Sequence, residues 1–206
     1  MQIKICGLFR DQDIEFINEA HPDYAGFVFA ESKRQVSPAL AQYLRFRLAD
    51  DIVPVGVFVN APINDIAALF HNGVISIAQL HGDEDEGYIS YLKKKCFNNK
   101  SSQLKVIKTI KTDMFKRLPK TTEADYFLLD SGAGSGKAFN WEFLKSIKTE
   151  KPWFLAGGVN IDNIEQAIKF NPFAVDVSSG AETNGIKDRK KIIQLTAMAR
   201  KGNSNE

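Results

Sequence analysis

The chain has 206 residues, of which 44% are hydrophobic and 25% are charged. This length fits one compact domain and leaves no room for a second catalytic domain. The composition lacks the low hydrophobicity and high net charge of disordered proteins. The 27 basic and 25 acidic side chains leave a net charge of +2, so no strong field favours a nucleic acid or an anionic membrane as a partner. We expect a soluble protein with one domain over residues 1–201 and a polar tail over 202–206.

The sequence has no membrane or metal signature. No stretch reaches the roughly 18 to 20 consecutive apolar residues that span a bilayer, and the first residues, MQIKICGLFRDQD, do not have the pattern of a signal peptide. We therefore expect a cytoplasmic protein. Its two cysteines, Cys6 and Cys96, and its three histidines lie in no metal-ligand spacing, so no metal is expected. Cys96 follows three lysines and is expected at a surface helix end.

Short β-rich runs alternate with longer runs of helical spacing, at a repeat of about 26 residues, one eighth of the chain. Most of the β-rich runs are almost continuously apolar, which is typical of parallel strands that are covered on both faces. In chain order the predicted strands are Gln2–Cys6, Tyr24–Phe29, Val53–Phe58, Ser76–Leu80, Leu104–Lys108, Tyr126–Asp130, Trp153–Ala156 and Ala174–Val177.

Amphipathic segments lie between these strands, and several begin with helix-start signals. Pro38 and Pro62 suit the first position of a helix, and Asp162 suits a cap. The acidic run 83–86 predicts a further helix start. The helices predicted besides that one are Asp11–Glu19, Pro38–Leu48, Pro62–Phe70, a short segment at Thr112–Leu118, Asp162–Phe170 and Asp188–Arg200.

Eight strand-and-helix repeats favour a closed barrel over an open sheet, which more often has five or six strands. The sequence therefore predicts the α/β class, as a single (β/α)8 TIM barrel with a parallel eight-stranded sheet. In such a barrel, catalytic groups lie at the carboxyl ends of the strands and in the loops that follow them.

Strands six, seven and eight each lead into a glycine-rich turn, at residues 132–136, 157–158 and 178–180. Glycine lets the main chain approach a phosphate closely and direct N–H groups at it, and the loops after strands seven and eight are the usual phosphate site of a barrel. Three such turns on neighbouring strands favour a phosphate site over three ordinary turns. The string GAGSGKA is not a Walker A loop, because Ser131 and Ala138 stand where that motif has Gly and Ser or Thr.

Cys6 ends the first strand, where a cysteine is either a small buried hydrophobe or a reactive group. Gly7 lets the chain turn directly beyond it, and Lys4 faces the same side of the strand. A nearby ammonium lowers the pKa of a thiol, and the thiolate is a base or nucleophile. Lys4 needs a partner inside the barrel, and we expect a buried ion pair with Asp176 on the adjacent strand eight.

Asp130 ends the apolar run YFLLD. If water is excluded there, the pKa of this carboxyl rises and it can donate a proton near neutrality, but it could equally cap the following turn. Arg34, in the loop after the second strand, could clamp a carboxylate or phosphate or be a solvated loop arginine. These residues alone predict a phosphate-binding barrel with a candidate base and a candidate acid.

Taken in order, the strand ends carry the strings KICGL (4–8), GFVFAESKRQVSP (26–38), VGVFVN (55–60), QLHG (79–82), LLDSGAGSGKAFNW (128–141), LAGGV (155–159) and DVSSGAE (176–182). Together these strings resemble those of one family, the phosphoribosylanthranilate isomerases. Each matching string is weak alone, but their occurrence together in register is specific and covers almost the whole chain. Four positions differ from the family's usual residues, and none is the candidate acid or base: Lys33, Ser131, Ala133 and Asn140.

The resemblance implies an Amadori rearrangement of N-(5-phosphoribosyl)anthranilate in tryptophan biosynthesis, with no cofactor and no metal. It implies Asp130 as the general acid that protonates the furanose ring oxygen, and Cys6 as the general base that removes the proton from C2. Arg34 corresponds to the residue that contacts the anthranilate. The remaining substrate-binding residues that we expect are Gly134, Gly136, Gly158, Asp176, Ser178 and Ser179.

Two other functions remain open from the sequence. A histidine-pathway isomerase performs the same rearrangement on a larger substrate, but it is expected to have two phosphate sites related by a half-barrel repeat, whereas the glycine-rich turns here lie in the second half of the chain. A noncatalytic phosphate-binding barrel would have the same turns without turnover. For partners, we expect a small phosphosugar-anthranilate ligand, no nucleic acid, no membrane, and a monomer or homodimer.

Overall fold

The computed structural model describes residues 1–97, 103–111, 118–119, 122–130, 141, 144 and 149–201. Within these residues, eight parallel strands form a closed barrel in chain order, and pairing of the first strand with the last closes the sheet. This arrangement confirms the predicted fold class. The strands are β1 (Gln2–Cys6), β2 (Tyr24–Val28), β3 (Val53–Phe58), β4 (Ile77–Leu80), β5 (Lys105–Lys111), β6 (Tyr126–Asp130), β7 (Trp153–Ala156) and β8 (Ala174–Val177).

All eight predicted strands are present, and their bounds differ from the predicted ones at three strands. β2 ends one residue earlier and β4 begins one residue later than predicted, while β5 starts one residue later and runs on to Lys111. The apolar run of β5 stops at Lys108, but the backbone ladder continues because Lys111 pairs with Asp130 of β6. Backbone pairing therefore sets the end of this strand.

Six helices lie among the described residues, and two of them begin where the capping signals predict. Ser37 accepts a hydrogen bond from the Leu40 amide at 3.2 Å with Pro38 in the first turn, and Asp85 accepts one from the Tyr88 amide at 2.8 Å. Both contacts satisfy amides that have no partner inside the helix. The helices are α1 (Asp11–Ala20), α2 (Pro38–Arg47), α3 (Ile63–His71), α4 (Glu86–Lys95), α5 (Ile164–Ile168) and α6 (Arg189–Lys201).

The predicted cap at Asp162 is wrong, because α5 begins only at Ile164. Two asparagines hold a turn ahead of the helix: Asn163 Oδ1 accepts from the Asn160 amide at 2.8 Å, and Asn160 Oδ1 accepts from the Asp162 amide at 2.8 Å. Side chains of this kind compete with helix formation by bonding the local backbone. The helical segment predicted at 112–118 lies almost wholly outside the described residues, as does the predicted tail over 202–206.

A hairpin that no alternating pattern predicts follows β8. A short 3-10 turn (Ser179–Ala181) leads into the two-residue strands β9 (Glu182–Thr183) and β10 (Ile186–Lys187). Asn184 and Gly185 join the strands with φ angles of 54° and 78°. Because a type I′ turn needs positive φ at both central residues, the Asn-Gly pair is the sequence signal that could have found this hairpin.

The core has an outer and an inner part. The outer part lies between the sheet and the helices. It includes Cys96, which is fully buried at the end of α4, so the expected surface position is wrong, and burial raises the pKa of its thiol to about 11. The inner part fills the barrel with apolar side chains such as Val55, Leu128 and Phe154. In the described part of the chain, no helix has the length and hydrophobicity to cross a bilayer.

Candidate active site

A cavity of about 390 Å³ opens at the carboxyl ends of the barrel strands. All of the sequence-predicted site residues that the structure describes line it. Gly134 and Gly136 lie outside the described residues. The predicted residues that meet in the cavity are Cys6, Arg34, Asp130, Gly158, Asp176, Ser178 and Ser179.

A buried polar layer lies at the floor of this cavity, where Gln79 and Asp176 line it. Lys4 Nζ is 3.0 Å from Asp176 Oδ2 and 3.1 Å from Oδ1, which confirms the ion pair expected between β1 and β8. Burial alone lowers the pKa of Lys4, but the Asp176 carboxylate and the Cys6 thiol outweigh it, and the pKa is raised. Gln79 of β4 completes the layer, since its Oε1 accepts from Lys4 Nζ at 2.7 Å.

Cys6 lies directly above that layer and is 6% exposed. Burial raises the pKa of its thiol, while the charge of Lys4 and a hydrogen bond from it act in the opposite direction. The net pKa is above its ordinary value, so the expectation of a lowered pKa is wrong. Here the free energy lost by removing the thiolate from water exceeds the stabilisation that the Lys4 ammonium provides.

Asp130 faces His81, with His81 Nε2 3.4 Å from Asp130 Oδ2. The other ring nitrogen, Nδ1, lies 3.2 Å from Thr109 Oγ1 and 3.3 Å from Gln79 Nε2. Because the Gln79 amide nitrogen is a donor only, Nδ1 is assigned as the acceptor, which places the proton of a neutral ring on Nε2, toward Asp130. Sequence reasoning missed His81, although it follows the inward-facing Gln79 by two residues.

Arg34 is held by a carboxylate, which rules out the alternative of a solvated loop arginine. Its Nε donates to Glu182 Oε1 at 2.6 Å and its Nη2 to Glu182 Oε2 at 2.7 Å. Burial raises the pKa of Glu182, but Arg34 and Lys187 hold it below its ordinary value. Neither Glu182 nor Lys187 was predicted, because they act from the short hairpin after β8.

The turns after β7 and β8 form another wall of the cavity. Gly157, Gly158 and the segment 178–180 all line it. The two turns touch closely, since a Cβ placed on Gly180 would lie 1.9 Å from the carbonyl oxygen of Val159. Only glycine fits at this contact, which brings main-chain segments of both turns to the same side of the cavity.

The site thus combines a thiol, a carboxyl group, a guanidinium and two glycine-containing turns around one cavity. A thiol and a carboxyl group can take and give protons, and a guanidinium can bind a carboxylate. Among the described residues, no three His, Cys, Asp or Glu side chains are grouped so that they could hold a metal ion.

The family model and the similar curated proteins identify the same family. Residues 3–197 match the family described as N-(5'phosphoribosyl)anthranilate (PRA) isomerase. The N-(5'-phosphoribosyl)anthranilate isomerase of Endomicrobium trichonymphae is 45% identical over 97% of this chain and 98% of that protein. The crystal structure of TrpF from Jonesia denitrificans has a TM-score of 0.86 at 31% identity and covers 100% of both chains.

A second solved structure is similar along almost the whole chain. It is a phosphoribosyl anthranilate isomerase in complex with reduced 1-(o-carboxyphenylamino)-1-deoxyribulose 5-phosphate. Its TM-score is 0.79 at 30% identity, over 98% of this chain and 99% of that chain.

Proposed function

Because this chain belongs to the N-(5'-phosphoribosyl)anthranilate isomerase family, we propose that it converts N-(5-phosphoribosyl)anthranilate into 1-(2-carboxyphenylamino)-1-deoxyribulose 5-phosphate in tryptophan biosynthesis. One observation carries the assignment of roles: Cys6 and Asp130 line the same cavity, together with Arg34. An acid and a base that act on one sugar must reach it from one cavity.

Asp130 is the general acid in this proposal. It gives its proton to the furanose ring oxygen, the C–O bond at C1 breaks, and the nitrogen lone pair forms an imine. The Cys6 thiolate then removes the proton from C2, and the electron pair moves into a C1–C2 double bond to give an enolamine. Protonation at C1 and loss of the enol proton yield the ketone, so that no atom is gained or lost overall.

Lys4 supports the base without touching the sugar. Cys6 must lose its proton before it can act, and burial opposes this step by raising its pKa. The Lys4 ammonium, held by Asp176 and Gln79, acts against this increase through its positive charge and so stabilises the thiolate. Asp176 therefore contributes to the site through Lys4.

Arg34 binds the anthranilate carboxylate in this proposal. A guanidinium has five N–H donors, and Glu182 takes two of them, which leaves donors for a ligand. The phosphate lies against the main chain of the turns at Gly158 and Ser179, and Gly134 and Gly136 belong to the same proposed set. The match along residues 3–197 favours this reaction over a histidine-pathway isomerase.

The test follows the loss of anthranilate-type fluorescence with freshly prepared N-(5-phosphoribosyl)anthranilate. We expect the wild-type protein to convert this substrate. In both Cys6→Ala and Asp130→Asn we expect kcat to fall at least about 10²-fold, because a positioned acid or base contributes about that much to the rate. Cys96→Ala is the matched control, since it removes the other buried thiol and should keep its turnover.

Two results would contradict the proposal. Near-wild-type kcat in Cys6→Ala or Asp130→Asn would remove that residue from its role. A wild-type protein that leaves the fluorescence decay at the uncatalysed rate would be a noncatalytic phosphate-binding barrel instead.

A further inference from the structure

A buried ion cluster is centred on Glu182, at the start of the hairpin after β8. Glu182 is 8% exposed and Lys187 is 3% exposed. Besides its two bonds from Arg34, Glu182 accepts from Lys187 Nζ at 2.6 Å. Two cations therefore share one carboxylate, and an anionic ligand beside Arg34 would balance the remaining positive charge.

Arg34 is held on two sides, by Glu182 and by the main chain at Gly7. Glu182 fixes the guanidinium through both carboxylate oxygens, a geometry that sets direction as well as distance. On the other side the arginine stem lies on Gly7, where a Cβ would be only 2.4 Å from Arg34 Cδ. A long, flexible side chain is thus placed next to Cys6 before any ligand binds.

The same carboxylate is linked to the turn after β8. Lys187 Nζ also donates to the main-chain oxygen of Ser178 at 3.0 Å, and Ser178 begins the cavity-lining segment 178–180. Lys191 Nζ donates to the main-chain oxygen of Glu182 at 2.6 Å, which anchors the start of the hairpin. The contacts run from Arg34 through Glu182 and Lys187 to the turn.

We propose that Glu182 is a positioning residue that fixes Arg34 relative to the turn at 178–180 and thereby selects ligands whose carboxylate and phosphate have the matching separation. This inference rests on the proposed function for the identity of the two anions. Glu182 touches neither anion in it, because both of its oxygens are engaged by Arg34 and Lys187.

The variant Glu182→Gln tests this by separating a two-anion ligand from a one-anion ligand. We expect KM for N-(5-phosphoribosyl)anthranilate to rise at least about tenfold while kcat stays within about threefold of wild type. The reason is that the lost interaction stabilises the bound substrate and the transition state equally. Inhibition by inorganic phosphate should stay within about twofold of wild type, because a lone phosphate needs only the turn and not the spacing. Glu182→Asp keeps the charge and shortens the reach, and it should give an intermediate KM.

Glu19→Gln is the matched control. Glu19 forms the same two-bond contact with Arg189, but on the surface, so its loss should change neither KM nor kcat. A parallel loss of substrate and phosphate binding in Glu182→Gln would indicate general damage and overturn the proposal, as would an unchanged KM.

A ligand-free measurement separates this inference from the proposed function. The Nε–H resonance of Arg34, assigned by its absence in Arg34→Lys, should exchange slowly with water in wild type and in Glu182→Asp, and quickly in Glu182→Gln. If the Arg34 Nε–H proton exchanges as slowly in Glu182→Gln as in wild type, the positioning of Arg34 by Glu182 is contradicted, even if turnover is normal. An inactive wild-type protein with the expected exchange pattern would contradict the proposed reaction but would still support the positioning of Arg34 by Glu182.

If Glu182→Gln does not fold, the kinetic test uses Glu182→Asp, and a wild-type KM in that variant overturns the proposal.

Discussion

At the scale of single residues, burial and charge compete at Cys6. Burial and the charge of Asp176 raise the pKa of the thiol, whereas the charges of Lys4 and Lys187 lower it. The balance lies above the ordinary pKa. In its proposed role as the base, Cys6 becomes increasingly deprotonated as the solution becomes alkaline.

The pH dependence of kcat/KM follows from that direction. We expect kcat/KM to rise with pH through the Cys6 pKa, because in the proposed mechanism the Cys6 thiolate removes the C2 proton. In Lys4→Met the ammonium is gone while the Asp176 charge remains, so the pKa of Cys6 should rise further and the profile should move to higher pH. The surface variant Lys190→Met should keep the wild-type profile. A Lys4→Met profile that stays in place, or moves to lower pH, would show that Cys6 does not set this limb.

Residue-level prediction succeeded where strand geometry alone decides the contact. Lys4 and Asp176 pair in register on adjacent strands, and both positions can be read from the alternation of side chains along each strand. Glu182 was not predicted as the partner of Arg34, because 148 residues separate the two and a hairpin of two-residue strands positions the carboxylate. The sign of the Cys6 pKa shift also depended on burial, which the sequence does not measure.

At the scale of elements, the turns after β7 and β8 depend on close contact between main chains. In Gly180→Ala the new methyl group would collide with the Val159 carbonyl, a rigid neighbour. We expect the free energy of unfolding, measured with urea, to fall by about 1 to 3 kcal/mol, as at other overpacked sites. We also expect inhibition by inorganic phosphate to weaken severalfold.

Gly87→Ala is the corresponding control for the turn variant. Gly87 lies in α4, where an added Cβ would meet only the Asp85 Oδ1 atom at 3.4 Å. Alanine in a helix is favoured over glycine by up to about 1 kcal/mol, so this variant should be as stable as wild type or slightly more stable. Wild-type stability and phosphate inhibition in Gly180→Ala would contradict the close contact.

Element boundaries show what composition alone leaves out. The apolar run of β5 ends before its backbone ladder does, because pairing with β6 carries the strand on to Lys111. The start of α5 is delayed by asparagine side chains that bond the local backbone. In both places hydrogen bonds override the hydrophobic pattern on which the predicted bounds rest.

At the scale of the whole molecule, the eightfold alternation of short apolar runs and amphipathic segments was enough to predict a closed barrel. The site at its mouth could be predicted as far as the strand ends, because Cys6, Asp130 and Asp176 follow from register. The position of His81 follows from the alternation along β4, but its contact with Asp130 and the Glu182 cluster depend on the three-dimensional structure. The turn predicted at 132–136 lies outside the described residues and remains a prediction.

Closure of the barrel makes the Lys4–Asp176 pair a determinant of global stability. We expect Lys4→Met to lower the free energy of unfolding by about 3 to 5 kcal/mol, because it leaves a buried carboxylate without its cation. The double variant Lys4→Met/Asp176→Leu should recover most of this loss, since it removes both charges. Urea denaturation measures both changes. A double variant as unstable as the single one would show that the cost comes from packing rather than from charge.

The separation of these two residues along the chain also bears on how the protein is made. Lys4 leaves the ribosome 172 residues ahead of Asp176. Until that late carboxylate emerges, a nascent barrel that enclosed Lys4 would bury an uncompensated ammonium, which is strongly unfavourable. We therefore expect the first strand to pack fully in the interior only when β8 docks against it.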